Sequence, residues 1–210
     1  MGKVQGVKEK LHFDWYDCFF VPKGKTFAGA LQDPRVIRYF VDVQSKTRLE
    51  TNMQAAGVLP SQNTFEARAM RVVASSISES QNKDLLSTNN VTEADILAEI
   101  IYDSVTTLLV GEKVMFEAPT FFFPSGAGVI QNGGGGAPTV SNHGQPDPMA
   151  TFRFAEPVLI ECQQNFRVEI SFPRGIPGPT TSENPGSLAD LYGPFRLWVM
   201  LDGYLTRDVQ

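Results

Sequence analysis

Histidine and cysteine are scarce in this chain, and their scarcity removes most catalytic and metal-binding readings at once. Two histidines, His12 and His143, stand in 210 residues. They cannot by themselves form the cluster of imidazoles that a cupin-type metal centre needs, and carboxylates alone would hold only a loose Ca²⁺ or Mg²⁺. The two cysteines, Cys18 and Cys162, are far apart and in no metal-ligand spacing. They could form one bridge, but free thiols in an intracellular setting fit the composition better. No stretch approaches the roughly eighteen apolar residues that would span a bilayer. The opening MGKVQGVKEK is followed by no long apolar run, which predicts no secretory leader. Charged residues make up only 20%, leaving room for extensive contact surfaces.

Nucleophile and phosphate motifs are missing as well. Ser125 lies in Pro-Ser-Gly, without the Gly-x-Ser-x-Gly elbow. The glycines between 126 and 136 lack the Lys-Ser/Thr of a phosphate loop and its strand-to-helix context. Glu161 and Glu169 could share a sheet face, but a glycosidase pair has no support from their spacing, and solvated strand positions explain them. The sequence therefore predicts no catalysis, no metal and no cofactor.

Alternation is what the sequence does contain. In QQNFRVEISFP, Phe166, Val168, Ile170 and Phe172 fall on one side of an extended chain, with Asn165, Arg167, Glu169 and Ser171 on the other. Strict period two predicts an antiparallel strand with one face in an apolar core. Similar patterns predict strands at Val36–Val43, at Thr64–Ser75, on both sides of Gly111-Glu112, at Phe152–Phe154, at Pro157–Cys162 and at Phe195–Leu201. In the second of these, Phe65, Ala67 and Ala69 oppose Glu66, Arg68 and Met70. Thr92 to Ser104 carries Ile96, Leu97, Ile100 and Ile101 at helical spacing behind a Thr92 cap, and predicts one short helix. About seven or eight strands without β-α alternation predict an all-β antiparallel β-sandwich, best drawn as a single jelly roll. Ser45–Gln62 reads as irregular. Long Gly/Pro-rich loops are expected at about 121–149 and 173–194.

Residues 1–34 read as an N-terminal arm on a jelly-roll domain of residues 35–210. Residues 1–48 hold nine Lys/Arg against five Asp/Glu, whereas residues 49–210 hold nine against eighteen. A basic start on an acidic body suggests contact with something anionic through Lys3, Lys8, Lys10, Lys23 and Lys25: a neighbouring copy, a phospholipid surface or nucleic acid. A solvated tail is the other reading. The aromatics Phe13, Trp15, Tyr16, Phe19 and Phe20 must dock, either on their own barrel or on a neighbour's. Trp198 and Met200 point away from the apolar face of the last strand, which suggests contact with a second subunit or with the arm.

The segments LPSQNTFEARAMRVVAS, LIECQQNFRVEISFP and FRLWVMLDGYLTRDVQ resemble virion proteins of bacteriophages, most nearly the single jelly-roll capsid proteins of tailless icosahedral phages. The likeness spans Leu59 to Ser75 and Thr151 to the end: a Gln-x-Phe-x-Val strand after a proline-led one, and a late apolar strand ending in Asp-Gly-Tyr-Leu and Arg207. It implies a capsid subunit that self-assembles into a shell, made in the host cytoplasm and residing in the virion. Its partners would be copies of itself and other virion proteins, with an internal membrane or packaged nucleic acid at the arm. The alternative is a jelly-roll module that binds carbohydrate or a receptor, using exposed aromatics such as Trp198 and Tyr204.

Overall fold

The computed structural model describes residues 8–77, 82–83, 93–124, 130–131, 141–142, 149–178 and 187–208. Lys3, the Thr92 cap, Ser125, His143, most of the 121–149 loop and residues 179–186 of the second loop lie outside them.

Two four-stranded antiparallel sheets pack face to face. One is ordered β1 (Lys8–Val21), β10 (Phe195–Asp208), β3 (Thr64–Ala74), β8 (Arg153–Ile160). The other is ordered β2 (Val36–Tyr39), β9 (Phe166–Ser171), β4 (Val105–Val110), β5 (Lys113–Pro119). The pairings nest: β1 with β10, β2 with β9, β3 with β8, and β4 with β5. This is a hairpin ribbon rolled up on itself, the topology of a single jelly roll. A two-residue ladder, β6 (Ile130–Gln131) with β7 (Ser141–Asn142), lies in the connection from β5 to β8. Among the described residues, the α-helices are α1 (Phe27–Ala30) and α2 (Glu93–Tyr102), with 3₁₀ turns at Thr120–Phe122 and Leu188–Asp190.

The strands with unbroken period two fold as their sequence predicts. β9 lies inside its sheet, with Phe166, Val168 and Ile170 buried. Arg167 and Glu169 face outward and pair with each other at 2.8 Å. β4 and β5 turn at Gly111, whose φ of +62° suits glycine there. In α2, Ile96, Leu97 and Ile100 are buried against the barrel.

The first correction concerns the arm. Lys8–Val21 is a fourteen-residue strand that pairs with β10 along its whole length, from Lys8–Asp208 to Val21–Phe195. Leu11, Phe13, Trp15, Asp17, Phe19 and Val21 stand opposite the inward residues of β10, and Trp15 and Val21 are buried in the core. Alternation is hidden in the sequence because Tyr16, Cys18 and Phe20 make the other face apolar too, while the inward set contains an aspartate. The barrel therefore includes Lys8–Val21 and does not start at residue 35.

Asp17 is the second surprise: a fully buried carboxylate. Lys46 Nζ donates to both its oxygens at 2.9 Å, and the Phe40 backbone N–H donates to Oδ2 at 2.6 Å. Burial pushes the carboxyl above its usual range, and Lys46 with these hydrogen bonds opposes that rise. Phe40 is held at φ +70°, a left-handed conformation rare for a bulky residue, and its carbonyl accepts from Gly57 N–H at 2.6 Å. Here β2 stops at Tyr39 instead of running to Val43, because the chain turns away to deliver Lys46.

Two further differences have local causes. In β3 the register with β10 and β8 shifts around Arg68, so Met70 and Val72 turn inward and Ala69 stands opposite Asp202. A bulge of one residue flips the phase of everything after it. Gly203 lies at this point, where a Cβ would run into the Glu66 carbonyl oxygen. β8 is one strand rather than two, since Pro157 is tolerated on an edge.

Removing one partner of a buried pair leaves the other charge uncompensated. Asp17→Ala should cost about 3–5 kcal/mol, read as a lower urea midpoint. The double replacement Asp17→Leu with Lys46→Met should recover a large part of that loss.

Candidate functional site

Three features stand out on the barrel, each assembled from segments distant in sequence. The first is the outer face of the sheet that holds β1, β10 and β3. Cross-strand register there sets His12 opposite Tyr204, Asp14 opposite Asp202, Tyr16 opposite Met200, and Cys18 opposite Trp198. At one end Lys10 and Arg68 lie on the Tyr204 ring, 4.8 and 4.9 Å from its centroid, and both pair with Glu66. Lys10 first and Arg68 second hold the Glu66 carboxyl below its usual range.

In the middle of this face His12 Nε2 lies 2.8 Å from Asp202 Oδ1 and 3.8 Å from Asp14 Oδ1. Arg71 reaches both carboxylates, at 3.7 Å from Asp14 and 3.8 Å from Asp202. The three donor atoms of His12, Asp14 and Asp202 fall within 4.8 Å of one another. Arg71 already supplies the positive charge between the two aspartates, so the arrangement reads as a charge cluster and not as a metal centre.

At the other end the segment 46–53 folds over the face. Trp198 Nε1 donates to the Leu49 carbonyl at 3.0 Å, and Tyr16 Oη donates to the Arg48 carbonyl at 2.5 Å. Asn52 accepts from Tyr16 N–H at 3.0 Å and donates to the Asp14 carbonyl at 2.7 Å, occupying the free edge of β1. Glu50 accepts from Thr47 N–H at 2.7 Å and lies 3.5 Å from Arg196. Burial alone would raise the Glu50 carboxyl, but Thr47 and then Arg196 outweigh it and hold it low.

The outward aromatics of β1 and β10 thus have an intramolecular cover. Of the seven residues expected at subunit contacts, Trp15 is in the core and unavailable to a neighbour. Phe13, Tyr16, Phe19, Phe20, Trp198 and Met200 are half-buried. Arg196 stacks on Phe20 at 4.5 Å. The four of those lysines that are described do not make one basic surface either. Lys8 and Lys10 are at one end of β1, while Lys23 and Lys25 follow its other end, some 13 residues and roughly 40 Å away at strand rise.

The second feature is a recess of about 590 Å³ between the end of β1 and the segment 30–50. Leu31, Val36 and Ile37 contribute apolar walls, with Lys46, Thr47 and Glu50 on the polar side. Its cysteine, Cys18, is buried and its thiol is pushed up to about 12 by burial, so it is held as the unreactive thiol. Neither cysteine is bonded to another.

The third is a row of exposed rings at one end of the sandwich. Tyr102, at the end of α2, is 70% exposed, and Phe121 and Phe122, on the turn after β5, are 46% and 45% exposed. Their centroids are 6.0 Å (Tyr102–Phe121) and 4.8 Å (Phe121–Phe122) apart. The next residue, Phe123, turns inward and packs on Phe116 and Phe152 at 5.8 and 5.1 Å. The sequence Phe121-Phe122-Phe123-Pro124 does not itself say which rings stay outside, since a 3₁₀ turn over Thr120–Phe122 decides it.

Three consecutive phenylalanines should therefore behave differently when cut back. Phe121→Ser and Phe122→Ser are expected to leave the unfolding midpoint within about 0.5 kcal/mol of the parent. Phe123→Ala should cost about 3–5 kcal/mol in the same urea titration. No family model, curated protein or solved structure matches this chain.

Proposed function

We propose that this chain is a structural subunit of an icosahedral phage shell, acting by association with copies of itself and with other virion proteins, not by catalysis. The observation that carries the reading is the exposed row Tyr102, Phe121 and Phe122, on a barrel whose own core is already filled. Clustered large apolar side chains left in water mark an association surface more often than a solitary exposed residue does. The jelly-roll topology and the likeness of the 59–75 and 151–210 segments to phage capsid proteins support it. Assembly in the host cytoplasm and residence in the virion follow from the same reading.

The way the subunits would join differs from what an arm suggests. Residues 8–21 are spent on closing their own barrel, and the face around Trp198 is covered by residues 46–53 of the same chain. Contacts between copies are assigned instead to the ends of the sandwich, where the ring row lies. Lys8 and Lys10 stand at the opposite end of β1 from Lys23 and Lys25, so contact with an inner membrane or packaged nucleic acid would draw on one pair or the other.

The same row favours a second reading, a carbohydrate- or receptor-binding module, because flat exposed rings also stack on sugars. One set of variants separates the two. Light scattering across a concentration series should show the parent chain growing beyond the 23.1 kDa of one chain, and Phe121→Ser/Phe122→Ser remaining monomeric. A parent that stays monomeric at every concentration overturns the shell reading. Binding to a glycan array that the double variant abolishes would establish the second reading in its place.

A further inference from the structure

Separately from the shell reading, the outer-face charge cluster has a geometry that couples protonation to the pairing of an edge strand. β10 is the one strand neighbour of β1, Asn52 touches the other edge at Asp14 and Tyr16, and Asp14 and Asp202 are directly opposed across the β1–β10 pairing. Two like charges at opposed positions push strands apart. His12 Nε2 bridges them at 2.8 Å to Asp202 and 3.8 Å to Asp14. Asp14 Oδ1 is hidden from solvent and has no hydrogen-bond partner, which leaves that carboxylate under-neutralised.

We propose that His12, Asp14, Asp202 and Arg71 form a proton-operated latch, which holds the first half of β1 on β10 when His12 is charged and loosens it when His12 loses its proton.

The neighbouring charges leave His12 as the switching member. On its own strand it faces Lys10 and Asp14, and on β10 it faces Asp202 and the Tyr204 ring. From β3 come Arg71, which lies on the two aspartates, and Arg68 and Glu66, which are tied to each other and to Lys10. Lys10 and Arg68 are thereby engaged with Glu66, and Arg71 keeps its charge across the whole physiological range. The hydrogen bond that His12 donates to Asp202, then the charges of Asp202 and Asp14, raise the His12 pKa above its ordinary value, against smaller opposing effects of desolvation and Arg71. Burial, then the Asp202 charge, raises the Asp14 carboxyl.

Both shifts have the same sign. A folded-state pKa above the unfolded one means that the folded chain binds more protons in that window, so stability falls as pH rises through it. The Asp14 window lies in the carboxylate range. The His12 contribution is complete below the ordinary imidazole range and is lost as pH climbs through its raised value. Glu50 and Glu66, held low by their partners, act in the opposite sense, their contribution being lost as pH falls. The second half of β1 is outside the latch, pinned by Asp17 to Lys46 and Phe40. Because His12 is exposed, salt should weaken the coupling.

The test uses the full chain, labelled at its two histidines and followed by NMR against pH, with His12→Gln assigning the signals. The latch predicts that His12 titrates above the ordinary imidazole value and that Asp202→Asn moves its midpoint down. It also predicts, from amide exchange corrected for intrinsic rates, that residues 9–14 lose protection as pH rises through that midpoint, while β9 keeps its own. His12→Gln should remove this pH dependence, and its exposed position keeps the variant folded. An ordinary His12 midpoint, or one that Asp202→Asn leaves in place, overturns the proposal. So does a raised midpoint with unchanged protection in β1.

Discussion

The pairing of β1 with β10 is the constraint on which the rest of this barrel depends. β10 is the longest strand of the second half and runs between β1 and β3, so its inward row lies under both neighbours. Removing β1 would take Trp15 and Val21 from the core and uncover Leu197, Val199 and Leu201, all now buried. At roughly 1.5–3 kcal/mol for each buried side chain, that is on the order of 10 kcal/mol. The net stability of a whole domain is about 5–15 kcal/mol. An N-terminal segment with that leverage is structural, whatever its position in the chain.

A chain of consequences follows from that ladder. Asp17 enters the interior because β1 is a strand, and its buried charge requires Lys46. Bringing Lys46 there turns the backbone at Phe40 into a left-handed conformation and sends 46–53 across the outer face. That segment then occupies the free edge of β1 through Asn52 and covers Trp198 through the Leu49 carbonyl. An open edge strand invites pairing with another molecule, and here it is blocked within the chain. The exposed rings Tyr102, Phe121 and Phe122 lie apart from this ladder and keep their access to solvent.

Where the sequence was legible, one face of a strand was apolar and the other was not. Phe166–Ser171 has that pattern without interruption, Phe195–Leu201 was legible from its unbroken inward row although Trp198 and Met200 make the other face largely apolar, and β4, β5 and α2 were legible for related reasons. β1 was opaque because both faces are aromatic and its one anomalous inward residue is an aspartate. The alternation of β3 misled after Arg68, since a bulge changes phase without leaving a mark in composition. The charge cluster could not be read at all: His12 and Asp202 are 190 positions apart and meet only through the β1–β10 register. The ring row was half legible, for Phe121 to Phe123 were conspicuous as a group but not as exposed and buried members. Tyr102 joins them from the end of a different element.

A chain that begins at Pro22, lacking only β1 and what precedes it, tests the role of that ladder most directly. Followed by near-ultraviolet circular dichroism during urea titration, it should show no cooperative transition and should bind a hydrophobic dye that the full chain does not. A shortened chain that melts cooperatively as a compact monomer, near the midpoint of the full one, would contradict the account. Residues 8–21 would then be an arm laid on a barrel that stands without them.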